Sequence, residues 1–151
     1  MNISRRAWLS TSAAAAAAAF FGVSGQAIAT VEDVEKLIAE FGGGAAASDA
    51  GPLQLTTPEI AENGNSVPVS VNVDSPMTDD DYIESVMIMA SENPRPEVAT
   101  FHFTPASGIA KASTRMRLAK TQDVLAVAKT NSGQLFKISN NVKVTIGGCG
   151  G

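Results

Sequence analysis

A series of short apolar segments with period-two alternation, which begins at Leu53, constrains the fold of this 151-residue chain more than any other feature. Between 67 and 73, valines at every second position alternate with polar residues, as in a strand with one buried face. Segment 83–90 is apolar over most of its length, as in a central strand covered on both faces. Eight segments are predicted to be strands, namely 53–56, 67–73, 83–90, 99–104, 114–119, 124–130, 135–139 and 142–146.

The segments between the predicted strands are rich in proline, glycine, asparagine and aspartate, which are typical of turns. Asn131-Ser132-Gly133 is one such turn signal. No segment with a helical period lies between the strands, which disfavours parallel strands joined by crossover helices. Short strands at this spacing predict an all-β fold, an immunoglobulin-like antiparallel β-sandwich, over residues 53–146.

One short helix is predicted ahead of the sandwich, over residues 30–41. Thr30 is a suitable N-cap, acidic residues follow in the first turn, and apolar residues recur at i, i+3, i+4 and i+7 from Val34. Three glycines end the helix, and residues 42–52 are predicted to form a flexible linker. The apolar face of the helix needs a surface to cover, which is either the sandwich itself or another subunit.

The first 29 residues are interpreted as a bacterial signal peptide. The pair Arg5-Arg6 precedes the apolar run 13–23, and Ala27-Ile28-Ala29 supplies the small residues of a cleavage site. The run is too short for the ~20 apolar residues of a membrane span. The twin arginine predicts export to the periplasm by the twin-arginine (Tat) route, with residues 1–29 removed.

The charge balance argues against nucleic acid and membrane partners. The chain has a net charge of -4, and without residues 1–29 nine basic and fifteen acidic side chains remain, a net charge of -6. No basic cluster is apparent in the sequence, so nothing would neutralise phosphates. The Tat route exports folded proteins that carry a cofactor or a bound partner. Because cofactor ligands are not evident, a co-exported partner is expected.

The residue types that most often bind metals or catalyse reactions are sparse. His102, the single histidine, lies between two phenylalanines and is interpreted as a surface or interface residue, since zinc spacings are absent. Met87 and Met89 are predicted to fill the core or an interface instead of binding copper. The run Asp79-Asp80-Asp81 lacks the spaced glutamate of a calcium loop and is interpreted as a solvated turn. No metal, cofactor or catalytic residue is therefore predicted.

The chain ends in Gly147-Gly148-Cys149-Gly150-Gly151, directly after the last predicted strand. Cys149 is the only cysteine, so its thiol is free or paired with another chain. Glycine permits nearly any backbone conformation, which predicts a flexible tail over residues 147–151. Fully extended, five residues reach about 17 Å. Gly147, Gly148, Gly150 and Gly151 are therefore predicted to provide flexibility and entry into a narrow channel of another protein.

Three functions are compatible with one cysteine in this setting. The first is a non-catalytic carrier whose passenger is attached to Cys149 and visits several active sites, as swinging-arm carriers do. The second is a structural periplasmic sandwich that uses Cys149 for an intersubunit disulfide, although a disulfide gains nothing from a flexible tail. The third, a thiol enzyme, lacks a base, a resolving cysteine and an evident electropositive setting. The flanking glycines favour the carrier.

Four segments resemble SoxY, the carrier family of bacterial periplasmic thiosulfate oxidation. They are PEIAENG at 58–64, NPRPEVATFHF at 93–103, RMRLAKTQ at 115–122 and KVTIGGCGG at 143–151. Together with the Tat-type signal, the resemblance covers essentially the whole chain. The Gly-Gly-Cys-Gly-Gly motif shows no departure from the family pattern.

The resemblance implies a set of partners. In that family an immunoglobulin-like sandwich pairs with a smaller sandwich subunit, SoxZ, which has no signal of its own and is co-exported. The resemblance implies that a haem cytochrome joins thiosulfate oxidatively to Cys149 as a cysteine S-thiosulfonate, and that a dimanganese hydrolase then releases sulfate. Where the host has it, a molybdenum–haem sulfane dehydrogenase oxidises the remaining sulfur. The metals would belong to those partners, so no cofactor is expected in this chain.

Overall fold

Nine strands and one α-helix account for most of residues 29–49 and 51–148, the part of the chain that the computed structural model describes. The helix, α1, spans Val31–Gly42, and one 3-10 turn spans Pro105–Ser107. The strands in chain order are β1 Ala47–Asp49, β2 Leu53–Thr56, β3 Ile60–Ala61, β4 Val67–Val73, β5 Ile83–Ala90, β6 Glu97–His102, β7 Ala110–Met116, β8 Gln122–Thr130 and β9 Leu135–Val144.

The strands form two sheets with a shared core. The larger sheet has the order β1, β9, β8, β5, β6, with β3 also paired to β9, and the smaller has the order β2, β4, β7. The pairings are antiparallel except those of β1 and β3, which run parallel to β9 along its outer edge. This arrangement confirms the predicted all-β sandwich with one short helix.

Strand β4 shows how the valine alternation produces a sandwich wall. All four of its valines are buried, whereas the residues between them are exposed or half-buried. The valines belong to the main core, together with inward-facing residues of the larger sheet such as Ile88 and Val124. The sequence pattern therefore identified which face of this strand is covered.

Strand β5 is buried on both faces, as its nearly continuous apolar sequence predicts. One face, which includes Val86, packs in the core between the sheets. Met87 and Met89, on the other face, pack in a second cluster with Leu135 and the apolar residues of α1. The helix therefore covers its own sheet, which decides between the two surfaces left open by the sequence. Each fully buried methionine is worth about 1.5–3 kcal/mol relative to an exposed one.

Thr30 caps α1, as predicted. Thr30 Oγ1 accepts a hydrogen bond from Asp33 N at 3.3 Å, and the Asp33 carboxylate accepts one from Thr30 N at 2.8 Å. The bond from the Thr30 backbone is the main reason that the pKa of Asp33 lies below its ordinary value. Gly43 follows the helix with φ of +62°, a conformation that other residues rarely adopt.

The predicted linker, residues 42–52, is not uniformly flexible. It contains β1, whose residues Ala47, Ser48 and Asp49 pair in parallel with Leu135–Lys137 of β9. This strand was not predicted, because the alanine-rich segment lacks the alternation of apolar and polar residues. It forms because the free edge of β9 offers hydrogen-bonding partners. β1 thereby connects the helix to the edge of the larger sheet.

Segments 135–139 and 142–146, predicted as two strands, form the single strand β9. Asn140 and Asn141 resemble a turn in the sequence, but both amides are bonded within the sheet structure. Asn140 Nδ2 donates to Leu55 O at 3.0 Å, and Asn141 Nδ2 donates to Asp123 Oδ1 at 2.7 Å. Because their polar groups are satisfied in this way, the strand continues through them.

Two other strands are displaced from their predicted bounds. β6 ends at His102 instead of Thr104, and β7 begins at Ala110 and ends at Met116, ahead of the predicted segment 114–119. The register explains β7, because all seven residues of β4 find a partner between Ala110 and Met116.

The predicted signal peptide lies outside the described residues except for Ala29. Within the described ranges, no helix combines the length and the apolar character that crossing a membrane requires.

Candidate functional site

The backbone that leads to the C-terminal cysteine is bonded to the sandwich. Beyond the end of β9, Gly64 N donates to Ile146 O at 2.7 Å, and Gly148 N donates to Leu118 O at 2.9 Å. Leu118 N in turn donates to Gly64 O at 2.8 Å. Residues 146–148, here named the tail root, are therefore held against the segments that contain Gly64 and Leu118.

Close backbone packing requires glycine at the tail root. A Cβ at Gly148 would lie 2.8 Å from Gly64 O, and a Cβ at Gly64 would lie 2.6 Å from Gly148 N. A Cβ at Gly147 would collide with Ala119 O. These atoms belong to the backbone and cannot rotate away, so only glycine permits this approach.

The tail root changes the interpretation of two predicted tail residues. Gly147 is exposed and Gly148 is buried, and Gly148 is bonded to the sandwich. Their lack of a side chain thus serves contacts within the domain, and they belong to its anchored edge instead of a free tail. Cys149, Gly150 and Gly151 lie outside the described residues, so their predicted roles stay predictions.

A buried amide, Asn93, holds the opposite edge of segment 117–119. Asn93 Nδ2 donates to Arg117 O at 2.8 Å, and Oδ1 accepts from Ala119 N at 3.1 Å and from Gln122 Nε2 at 2.9 Å. Asn93 and Gln122 are each 2% exposed, so these bonds lie in a low-dielectric interior where they are strong. The network therefore connects the β5–β6 loop to segment 117–119, to which the tail root is hydrogen-bonded.

One cluster of charges is not apparent from the order of residues in the sequence. Arg95 and the pair Arg115 and Arg117 are far apart in the sequence, but all three line one pocket of about 270 Å³ together with Glu97. The available signal was Arg115-Met116-Arg117. Because Met116 is buried, its two neighbours project from the other side of the chain. The expectation of no basic cluster is therefore wrong for the folded domain.

The other residues considered from the sequence do not converge on a site. His102 is exposed on the edge strand β6, and Asp79, Asp80 and Asp81 are exposed before β5. Within the ranges 29–49 and 51–148, no three His, Cys, Asp or Glu side chains lie close enough together to hold a metal ion.

A family model described as "Sulfur oxidation protein SoxY" matches residues 38–149. The matched range takes in all nine strands, the tail root and Cys149. This chain belongs to the SoxY family. The match confirms the resemblance inferred from the four sequence segments. No curated protein sequence gives a significant match.

A solved structure of this family is similar over the whole domain. It is the sulfur carrier protein SoxY from Chlorobium limicola f thiosulfatophilum, which is 32% identical in sequence and superimposes with a TM-score of 0.66. The alignment covers 78% of this chain and 100% of the Chlorobium chain. The chain therefore shares its fold and its family with a protein described as a sulfur carrier.

Superoxide reductases share the fold at lower similarity. The neelaredoxin from Ignicoccus hospitalis is 19% identical with a TM-score of 0.56, over 78% of this chain and 94% of its own. A putative superoxide reductase from Thermotoga maritima is 16% identical with a TM-score of 0.55, over 65% of this chain and 93% of its own. At these identities the likeness establishes the sandwich architecture alone.

Proposed function

We propose that this chain is a non-catalytic carrier of sulfur-oxidation intermediates, with the cargo attached to the thiol of Cys149. The observation that carries the proposal is the place of that thiol in the chain. It directly follows Gly148, whose N–H is bonded to Leu118 O, at the end of a SoxY-family domain. Because Gly148 is anchored, the thiol of the next residue stays at one edge of the domain, where partner enzymes can bind it.

The chemistry proposed at Cys149 is oxidative attachment of thiosulfate. The thiol sulfur would form a bond to the sulfane sulfur of thiosulfate and lose its proton, and a partner haem cytochrome would accept the two electrons in one-electron steps. The product is a cysteine S-thiosulfonate. Water then cleaves the bond between the outer sulfur and the sulfonate group on a dimanganese hydrolase, which releases sulfate and leaves a persulfide on Cys149. A sulfane dehydrogenase oxidises that sulfur in hosts that have this enzyme.

The proposed setting is the periplasm, reached by the Tat route in a complex with a SoxZ-like sandwich subunit. The apolar face of α1 no longer supports such a partner, because it covers the chain's own sheet. Support comes from the family and from two exposed isoleucines. Ile146, in the tail root, is 68% exposed, and Ile60, which pairs with Lys143 near the end of β9, is 59% exposed. They supply apolar surface where a partner would approach Cys149.

Intact-mass measurement of the protein from thiosulfate-grown cells tests the carrier proposal. We expect one mass increment, equal to an attached thiosulfate or to sulfur left from it, that a reductant removes. Cys149→Ser should lack the increment and should not support thiosulfate oxidation by the partner enzymes. Its thermal unfolding should match that of the wild type, because replacing a thiol by a hydroxyl adds no volume and leaves the bond from Gly148 N to Leu118 O in place.

Two outcomes would contradict the proposal. A doubled mass that collapses to the monomer with reductant would indicate the intersubunit disulfide considered from the sequence. Full thiosulfate oxidation by the Cys149→Ser protein would exclude this residue as the attachment point.

A further inference from the structure

The pocket lined by Arg95, Arg115 and Arg117 has no part in the carrier proposal. It opens on the side of the sandwich where β6 of the larger sheet and β7 of the smaller sheet are both edge strands. Its volume of about 270 Å³ is enough for a small anion with several waters, since a water occupies roughly 30 Å³.

The charge of this pocket is opposite to that of the protein. Every arginine beyond residue 29 lines it, in a chain whose residues 30–151 carry a net charge of -6. Glu97 is the one carboxylate in its lining. Arg115 is fixed by a bond from Nη1 to Ser66 Oγ at 3.2 Å. Within residues 29–49 and 51–148, the ion pairs involve lysine, so no carboxylate neutralises the three guanidinium groups directly.

The pocket and the tail root share one structural support. Asn93 lines the pocket and bonds to Arg117 O and Ala119 N on one edge of segment 117–119. Leu118, between them, bonds to Gly148 on the opposite edge. Arg117, which lines the pocket, is therefore the direct sequence neighbour of the residue that anchors Gly148.

We propose that the arginine pocket binds the tetrahedral oxyanion group of a sulfur compound. The planar guanidinium group donates paired hydrogen bonds to such oxygens, and three of them provide both charge and geometry. The oxyanion has two sources, the sulfonate end of cargo attached to Cys149 or a free anion such as sulfate or thiosulfate. The first source rests on the proposed carrier function, whereas the second does not.

Free sulfate is the probe for the first experiment, with full-length mature Cys149→Ser protein at constant ionic strength. Amide NMR shifts should report saturable binding, centred on residues 93–98 and 115–119. The double substitution Arg95→Gln and Arg117→Gln should weaken sulfate binding at least tenfold, since each removes a charge-assisted hydrogen bond. The matched control replaces two exposed lysines outside the pocket, Lys111→Gln and Lys137→Gln, and should change the affinity less than twofold.

A variant that is expected to bind sulfate more tightly serves as a further test, because misfolding could weaken binding but could not strengthen it. Glu97→Gln removes the opposing charge and should strengthen sulfate binding about threefold, the size of the interaction between one charge and a divalent anion across roughly 6 Å of water when about 0.1 M salt screens roughly half of it. No saturable binding, an equal loss in the lysine control, or unchanged binding in Glu97→Gln would each overturn the proposal.

The second experiment identifies the source of the oxyanion. Tetrathionate loads wild-type Cys149 chemically. The thiolate attacks one inner sulfur, the central sulfur–sulfur bond breaks, thiosulfate leaves and a cysteine S-thiosulfonate remains. If the tethered sulfonate occupies the pocket, sulfate binding to the loaded protein falls at least tenfold. If sulfate binds equally well before and after loading, free anions are the ligand. Because the sulfate titration uses protein without Cys149, its failure would not bear on the carrier proposal.

Discussion

Replacing Gly148 by alanine tests whether the tail root is anchored. The added Cβ would lie 2.8 Å from Gly64 O and 3.1 Å from Asn65 N, both of them backbone atoms. Since these atoms cannot rotate away, the tail root has to move outward. The hydrogen bond from Gly148 N to Leu118 O, now 2.9 Å long, is then lost.

The position in the chain limits the cost of this change. Gly148 lies near the C-terminus, so the tail root can lift away from the sandwich and lose little beyond its hydrogen bonds. We expect Gly148→Ala to lower the free energy of unfolding by about 1–2 kcal/mol. Gly64 is internal, and a Cβ there would meet both Leu118 O and Gly148 N. Overpacking adds to the lost bonds, so Gly64→Ala should cost about 2–4 kcal/mol.

Urea unfolding followed by circular dichroism measures both changes, and hydrogen exchange of the Gly64 amide reports on its bond to Ile146 O. Gly150→Ala is the matched control, with an expected change within roughly ±0.5 kcal/mol. If residues 147–151 formed a free tail, as the sequence predicts, a larger residue at position 148 would also change the free energy of unfolding by no more than roughly 0.5 kcal/mol. If Gly148→Ala is as stable as Gly150→Ala, with exchange at Gly64 unchanged, the anchored tail root is refuted.

Three further measurements probe the supports of the site. Asn93→Ala should cost about 2–4 kcal/mol, because it leaves buried partners unbonded, whereas Ala at the exposed Asn141 should cost less than about 1 kcal/mol. Met89→Ala should lower the free energy of unfolding by about 2–5 kcal/mol and increase proteolysis of α1, which it supports; an unaltered helix would contradict this. The pKa of Asp33 is lower in the folded state, so its contribution is present above its ordinary value of 3.8 and is lost as pH falls through the folded pKa. In Asp33→Asn, the helical circular dichroism signal should therefore fall less when the pH is lowered through this range.

Much of the architecture was predictable from local pattern. The alternation in β4 and the apolar run of β5 follow from which faces are covered, and both strands have the predicted bounds. The cap at Thr30 and the exposure of His102 were also predictable, because each depends on a few neighbouring residues.

Strand boundaries depended on partners that are distant in the sequence. Residues 110–113 form part of β7 because β4 offers them a full register. Asn140 continues β9 because Leu55 O, in the opposite sheet, accepts its amide. Neither contact leaves a local signal in the sequence.

By itself, the sequence determined the sandwich class, the helix, the single cysteine beside glycines and the SoxY resemblance. Each of these depends on the order of neighbouring residues or on composition. Only the tertiary structure decided that α1 covers its own sheet, that Gly148 packs against Gly64, and that Arg95 and Arg117 line the same pocket. Those outcomes depend on strand register and on how the two sheets stack. Both are set by the summed packing of residues far apart in the chain, which no window of neighbouring residues encodes.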